Sequence, residues 1–315
     1  MITCRNLDPH SSHRAVTLSE MGQTGWVHLE APSPEECAQV QEAFDLPPTY
    51  LTAALDHHER PRLEHEDETL LVLLRSTVNA DKSLSKPLST CPVAFILRGN
   101  LLITVCLADN LGDGLLESMP ANQANQGSRT AVMLMLTLFM RTCREYHSHL
   151  QILGNFVNDI DKYLQESMHN TELFKLLRAD QSLIYYLMAL KGNQTVLEKL
   201  RAGATRRATE EEKELLEDVL IENRQAIDMT EIYTEIIGSL GDTIGSVVSN
   251  NLNKVMKILT GLTIVFMVPN IISSLYGMNV PLPGEGNPYA YMVLGLLCLV
   301  STLVVYLLLK KKNWM

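Results

Sequence analysis

Nine residues near the C-terminal end of the sequence share one face of a predicted helix, because they recur at steps of three, four or seven residues. Six of them carry carboxylate, amide or hydroxyl groups, and three are apolar. Polar groups are costly in hydrocarbon, so such a face normally lies inside a helix bundle or lines a water-filled path. We call these residues the polar stripe: Asp242, Ser249, Asn253, Met256, Leu259, Thr263, Met267, Asn270 and Ser274.

Two interpretations of the polar stripe follow from its chemistry. In a ring of identical helices it would line a pore, and Met256, Leu259 and Met267 would form narrow apolar rings that stop hydrated ions by dewetting. Alternatively, the Ser and Thr hydroxyls bond the carbonyls four residues back and Asn270 pairs with a neighbouring helix, so that the stripe serves packing alone. The residue types are compatible with both.

The helix that carries the stripe is predicted to enter a membrane. Residues 258–284 and 286–309 hold no charged side chain, and only Glu285 separates them. Residues 258–276 and 289–309 are each long enough to span a hydrocarbon core of ~30 Å at ~1.5 Å per residue, and the Gly- and Pro-rich segment between them predicts a short turn. Lys254, Lys257 and three lysines at 310–312 flank the spans. Both termini are therefore expected in the cytoplasm, with the protein in the inner membrane.

The composition of the 315-residue chain argues against several classes of protein. With 26 Lys and Arg against 36 Asp and Glu, the net charge of −10 is opposite to that of a nucleic-acid-binding surface. Six scattered cysteines form neither a zinc-ribbon nor a disulfide pattern. The sequence contains no phosphate-binding glycine loop and no hydrolase motif, so we expect neither an enzyme nor an ATP-driven pump. His57 and His58 are adjacent and are assigned to a solvated loop rather than to a zinc site.

Three segments are predicted along the chain. Residues 1–127 alternate short strand-like runs with helical patches and predict an α/β domain, with a hairpin turn at Gly99 and a helix capped by Ser33. Residues 128–257 predict long helices, the last of which runs into the first span. Residues 258–315 form the two-span membrane segment. A continuous helix of ~65 residues would be ~100 Å long, and we expect it to pack laterally against its own copies.

The outer end of the first span carries a specific motif. Tyr276-Gly277-Met278-Asn279 resembles the Gly-Met-Asn motif of the CorA-type divalent-cation transporters, which Tyr usually precedes. Residues 253–260 and the basic tail are similar to the same family. The resemblance implies an α/β cytosolic domain, a long α-helical stalk and two C-terminal transmembrane helices, assembled as a funnel-shaped homopentamer whose first span lines the pore.

The resemblance also implies a function, which is passive, channel-like transport of Mg²⁺ across the cytoplasmic membrane, with Co²⁺ and Ni²⁺ as further candidates. Asn279 would form a ring of amide oxygens that selects the hydrated ion, because Mg²⁺ gives up its waters reluctantly. Gly277 and Met278 would support that ring. The remaining pore and gate positions coincide with the polar stripe. They are Asp242, Asn253, Met256, Leu259, Thr263, Met267 and Asn270.

Regulation by cytosolic Mg²⁺ is implied as well. Asp218 and Asp81 fall where the family binds Mg²⁺ between neighbouring subunits, and the alternative for both is a solvated surface acid. Acidic residues crowd the start of the long helix, and bound Mg²⁺ would relieve their repulsion between copies, so that losing it favours opening. The outer loop has a single acid, Glu285, which indicates weaker electrostatic capture of cations. The expected partners are other copies of this chain, divalent cations and membrane lipid.

Two rival functions stay open. A zinc transporter of the same superfamily would share the architecture, although related zinc transporters usually alter the middle of the motif, where this chain has Met278. A non-transporting, membrane-anchored helical scaffold or sensor would need neither Asn279 nor a polar stripe.

Overall fold

A computed structural model describes residues 1–5, 18, 22, 24–78, 83–107, 131–165, 170–204, 208–278, 288–312 and 314. The chain divides into two compact units, Met1–Gly238 and Ser239–Met315. The finer division at residues 127 and 257 stays a prediction. Each unit has its own architecture.

A six-stranded sheet forms the centre of the first unit. The strand order is β1-β2-β6-β5-β4-β3, with β2 and β6 parallel and every other neighbouring pair antiparallel. Gly99 makes the turn between β5 and β6 at φ +59°, a left-handed conformation that favours glycine, and this confirms the predicted hairpin. The strands are β1 (Ile2–Arg5), β2 (Thr24–Glu30), β3 (Arg62–Glu66), β4 (Thr69–Thr77), β5 (Thr90–Arg98) and β6 (Asn100–Cys106).

Two short helices, α1 (Pro34–Phe44) and α2 (Pro48–Ala53), cover one face of the sheet. The Ser33 hydroxyl accepts a hydrogen bond from the Glu36 amide at 3.2 Å, and the Glu36 carboxylate accepts one from the Ser33 amide at 2.9 Å. This reciprocal pair satisfies two amides that have no partner within a helix, and it confirms the predicted cap. The core on this face includes Val27, Leu29, Val40, Leu51, Leu71 and Ile96.

Long helices cover the other face of the sheet. They are α3 (Ala131–Gln165), α4 (Asn170–Ala204) and the beginning of α5 (Glu210–Tyr276). Phe95 of β5 and Phe139 of α3 meet edge to face, with ring centroids 4.8 Å apart. Leu216 and Val219 of α5 complete this core. The observed architecture confirms the predicted α/β domain with long helices after it.

The second unit contains the rest of α5 and the helix α6 (Ala290–Lys311). Helix α5 is continuous over 67 residues and includes Pro269. Among the described residues, α5 and α6 are the two helices long and apolar enough to cross a membrane, and very little of either apolar stretch is buried within the single chain. Both predicted spans therefore coincide with helices.

Candidate functional site

One side of the apolar part of α5 faces α6. Cys298 of α6 places its Sγ atom 4.0 Å from the carbonyl oxygen of Pro269. The residues of α5 that lose exposure between residues 258 and 276 surround this point. They are Gly261, Ile264, Val265, Val268, Pro269 and Ile272.

The polar stripe lies on the opposite side of α5. A helix turns by ~100° per residue, so Leu259, Thr263 and Asn270 point away from the side that carries Gly261 and Val265. All nine stripe residues are exposed in the single chain. The structure thus places them on one face, as the spacing predicts, and α6 leaves that face uncovered.

The polar groups inside the membrane stretch differ in how they are satisfied. The Thr263 hydroxyl donates to the Leu259 carbonyl at 2.8 Å, as the packing interpretation expects. The Asn270 side chain makes no hydrogen bond to another residue that the structure describes, and the residue is exposed. The preceding residue, Pro269, has no N–H to donate to the carbonyl of Val265.

Helix α5 ends at the Gly-Met-Asn motif. The amide of Gly277 donates to the carbonyls of Ser273 and Ser274 at 3.0 and 3.3 Å, which closes the last turn. A Cβ at this glycine would lie 3.4 Å from the Ser273 carbonyl oxygen, which is ordinary van der Waals contact. Met278 is 54% exposed. Asn279 and Glu285 lie outside the described residues.

A polar groove runs along the part of the polar stripe that precedes the apolar stretch of α5. Gly241 and Gly245 have open space where a Cβ would stand, and this leaves Asp242 accessible. The spacing of the stripe identifies Asp242, Ser249 and Asn253 but not the glycines that open the groove. Its lining consists of Gly241, Asp242, Gly245, Ser246, Ser249, Asn250 and Asn253.

Asp218, the predicted regulatory ligand, projects from the surface of the first unit. The helix α5 that carries it is preceded by Thr209, whose hydroxyl accepts from the Glu212 amide at 3.2 Å while the Glu212 carboxylate accepts from the Thr209 amide at 3.0 Å. Val219 is buried against the sheet, so the adjacent Asp218 faces outwards and is exposed. Asp81 lies outside the described residues.

Other titratable groups of the first unit serve packing between its elements. His147 of α3 approaches both the carboxylate and the carbonyl of Glu222 on α5, at 3.2 and 3.1 Å. Burial raises the pKa of the Glu145 carboxyl, and the neighbouring Arg141 opposes that rise from 3.1 Å. Burial lowers the pKa of His149. Within the described residues, no group of three or more His, Cys, Asp or Glu side chains could hold a metal ion.

The acid- and histidine-rich loop before β3 is built around an arginine that sequence reasoning did not identify. The Arg75 guanidinium donates to the carbonyls of His57 and Glu59 at 3.0 and 2.8 Å and to the Thr90 carbonyl at 2.7 Å. The Asp56 carboxylate accepts from the His58 amide at 2.9 Å. These contacts give the loop a structural role.

Comparison with known proteins agrees with this arrangement. The family model described as CorA-like Mg²⁺ transporter protein matches residues 22–311. The chain therefore belongs to the CorA family, whose members are transporters and not enzymes.

Individual relatives are similar over most of their length. The cobalt/magnesium transport protein CorA of Methanocaldococcus jannaschii is 24% identical over 292 residues, which cover 92% of this chain and 90% of that protein. The protein of the same name from Thermotoga maritima is 24% identical over 299 residues, covering 92% and 83%. The complete structure of the M. jannaschii CorA magnesium transporter superposes with a TM-score of 0.85 at 23% identity, covering 100% of this chain and 99% of that one.

Proposed function

We propose that the protein transports Mg²⁺, and also Co²⁺, passively across the cytoplasmic membrane through a pore at the centre of a homopentamer. The observation that carries this proposal is the uncovered polar stripe on the side of α5 that faces away from α6. In a single hairpin this face would meet lipid, which is costly for the Asn270 amide. In a ring of copies the same face would surround a water-filled axis.

Ion selection is assigned to Asn279, with Gly277 and Met278 as its support. The charge-free spans contain no carboxylate that would hold a dication tightly, and conduction requires binding weak enough for release. A ring of amide oxygens can hydrogen-bond the waters of hydrated Mg²⁺ without removing them. The relatives from M. jannaschii and T. maritima are cobalt/magnesium transport proteins, which supports Co²⁺ as a second ion.

The gate is assigned to the apolar members of the stripe. Met256, Leu259 and Met267 are 57%, 55% and 56% exposed, so each side chain is available to form a ring with its copies. Rings of this kind exclude hydrated ions when narrow. Asp242, with Asn253 above it, would gather cations at the cytosolic mouth. Inward flux would be driven by the membrane potential, worth ~2.3 kcal/mol per charge per 100 mV.

Regulation is assigned to the exposed Asp218, with Asp81 as its partner from the neighbouring copy. Seven acids lie between Glu210 and Glu222, and the exposed ones would repel their counterparts on an adjacent copy. Cytosolic Mg²⁺ bound between copies would hold the ring closed, and its loss would shift the population towards the open state. With the lysines at the cytosolic side, both termini lie in the cytoplasm.

The decisive experiment is Mg²⁺ flux into liposomes that contain the full chain. We expect Asn279→Ala to reduce Mg²⁺ uptake at least roughly tenfold, which corresponds to an increase of about 1.4 kcal/mol in the activation free energy of transport. Asn155→Ala, an exposed asparagine of α3, should transport like the wild type. Millimolar Mg²⁺ on the cytosolic side should slow the wild type and affect Asp218→Asn less.

Three results would contradict this proposal. Equal uptake by Asn279→Ala and the wild type would remove the selectivity assignment. Equal inhibition of Asp218→Asn and the wild type would remove the regulatory one. Absence of flux in every variant, the wild type included, would favour the membrane-anchored scaffold.

A further inference from the structure

The second unit is basic, although the chain as a whole is acidic. Between Ser239 and Met315 there are five lysines and only two acids, Asp242 and Glu285. Neither residues 243–278 nor residues 288–312 contain any acid. The five lysines therefore have no carboxylate nearby along either helix. They are Lys254, Lys257, Lys310, Lys311 and Lys312.

The lysines of the two helices lie at the same level. Pro269 and Cys298 are in contact, and the helices that carry them run in opposite directions because a short segment joins them. Lys257 lies twelve residues before Pro269, and Lys310 lies twelve residues after Cys298. Twelve helical residues rise ~18 Å. Both lysines are thus displaced by the same distance, in the same direction, from the point of contact.

Three of the lysines also share the side on which the helices meet. Lys254 and Lys257 continue the row of α5 that includes Gly261 and Val265, with steps of three and four residues. Lys312 caps the end of α6 and stands one heptad after Val305, which is among the residues of α6 that lose exposure beside α5. Helical spacing therefore places all three lysines at the same end of the crevice between α5 and α6.

An apolar surface begins immediately beyond this basic end. Ile258 and Leu262 of α5 and Leu308 of α6 are exposed beside the lysines. Lys310 stands 6.0 Å from the centre of the Tyr306 ring, which fits the aromatic girdle at a membrane surface. A ligand that suits both features carries phosphate charge at one end and hydrocarbon at the other. A soluble phosphate compound would leave the apolar part uncovered.

We propose that the crevice between α5 and α6 binds the headgroup of an anionic phospholipid through Lys254, Lys257 and Lys312, with its acyl chains along Ile258 and Leu262. Basic pockets between membrane helices on the cytoplasmic side are suited to such headgroups. The inference rests on the membrane placement in the proposed function and is independent of the pore.

The chain contains its own probe for this site. Trp314 follows the lysines by two residues, whereas Trp26, the other tryptophan, is buried in the core of the first unit. The full chain is reconstituted in phosphatidylcholine vesicles that contain equal mole fractions of either brominated phosphatidylglycerol or brominated phosphatidylcholine. Bromine quenches a nearby indole, so the ratio of the two quenching curves measures the preference for the anionic lipid at Trp314.

We expect the wild type to prefer phosphatidylglycerol. In the double variant Lys254→Gln/Lys257→Gln this preference should be at least roughly fivefold smaller. The matched control, Lys191→Gln/Lys199→Gln, removes two exposed lysines of α4 and should keep it. Asn279→Ala should keep it too, which separates this proposal from the selectivity assignment. Equal preference in the wild type and Lys254→Gln/Lys257→Gln, with both eluting as the same folded species, would overturn the proposal. Release of the preference by 10 mM inorganic phosphate would overturn it in favour of a soluble ligand.

Discussion

The polar side chains of the two membrane helices lie on opposite sides relative to the contact between the helices. In α6, the hydroxyls of Ser301 and Thr302 donate to the carbonyl of Cys298 at 3.0 and 2.7 Å, and both side chains are partly buried on the side of α5. In α5, Asn270 and Thr263 are exposed on the side away from α6. Helices of similar apolar character thus differ in where they direct polarity.

This difference is the one that the proposed pore requires between an outer helix and an inner one. The outward surface of α6 is made of side chains that lipid can cover at no cost, such as Leu296, Leu303 and Val304. The outward surface of α5 contains the Asn270 amide, which lipid cannot satisfy. The α5–α6 pair is therefore incomplete as a membrane structure, and further copies of α5 can complete it.

The largest effect that tests this contrast is expected from removing one polar group on each helix. Asn270→Leu should reduce Mg²⁺ flux roughly tenfold, a barrier increase of about 1.4 kcal/mol, because an uncharged oxygen disappears from the path. Thr302→Val, which removes a hydroxyl bonded within α6, should leave flux within about twofold of the wild type. Liposome uptake measures both. A larger loss for Thr302→Val than for Asn270→Leu would reverse the roles of the two helices.

An intermediate effect is expected from the apolar part of the stripe. Leu259→Thr replaces an apolar side chain of the proposed gate by a smaller polar one, which lets water fill the constriction. Flux in the presence of inhibiting cytosolic Mg²⁺ should therefore rise roughly fivefold. Ile258→Thr makes the same chemical change one residue earlier, on a side of α5 that faces neither the stripe nor the centre of the α6 contact. It should leave the inhibited flux unchanged. An equal rise of the inhibited flux in the two variants would mean that the polar stripe has no gating role.

The last effect is on stability and not on flux, and it concerns the side of α5 that meets α6. Gly261 is buried there, so Gly261→Leu overpacks the helix contact and should lower the melting temperature of the detergent-solubilised chain, at a cost of about 1–3 kcal/mol. A Cβ at Gly295 of α6 would meet no atom within 4 Å. Gly295→Leu should therefore not lower the melting temperature. Similar melting shifts in both variants would show that the side of Gly261 is not a packing surface.

Periodicity predicted much of the architecture because it reports burial directly. The apolar strands β2, β4, β5 and β6 were predictable, and so were the long helices and the Ser33 cap of α1. The edge strands β1 and β3 were not, since β1 has four residues and β3 is a polar Arg-Leu-Glu-His-Glu run with no apolar alternation.

The candidate site was predictable as a row of residues but not as a surface. Helical spacing identifies which side chains share a face of α5, yet the side that α6 covers depends on contacts such as that between Cys298 and Pro269. In the same way, nothing local predicts that Arg75 fastens a loop eighteen residues away. Long-range partners are set by the fold and not by neighbouring residues.

The proline of α5 has a mechanical consequence. Because Pro269 has no amide hydrogen, one backbone hydrogen bond of α5 is missing, and the helix bends most easily at that level. Eight residues, or ~12 Å of helix, separate this weak point from Gly277. In the proposed pore, bending at Pro269 would displace the end of α5 near Gly277 and leave the segment around Met256 in place. The width of the proposed outer opening would then vary independently of the proposed gate.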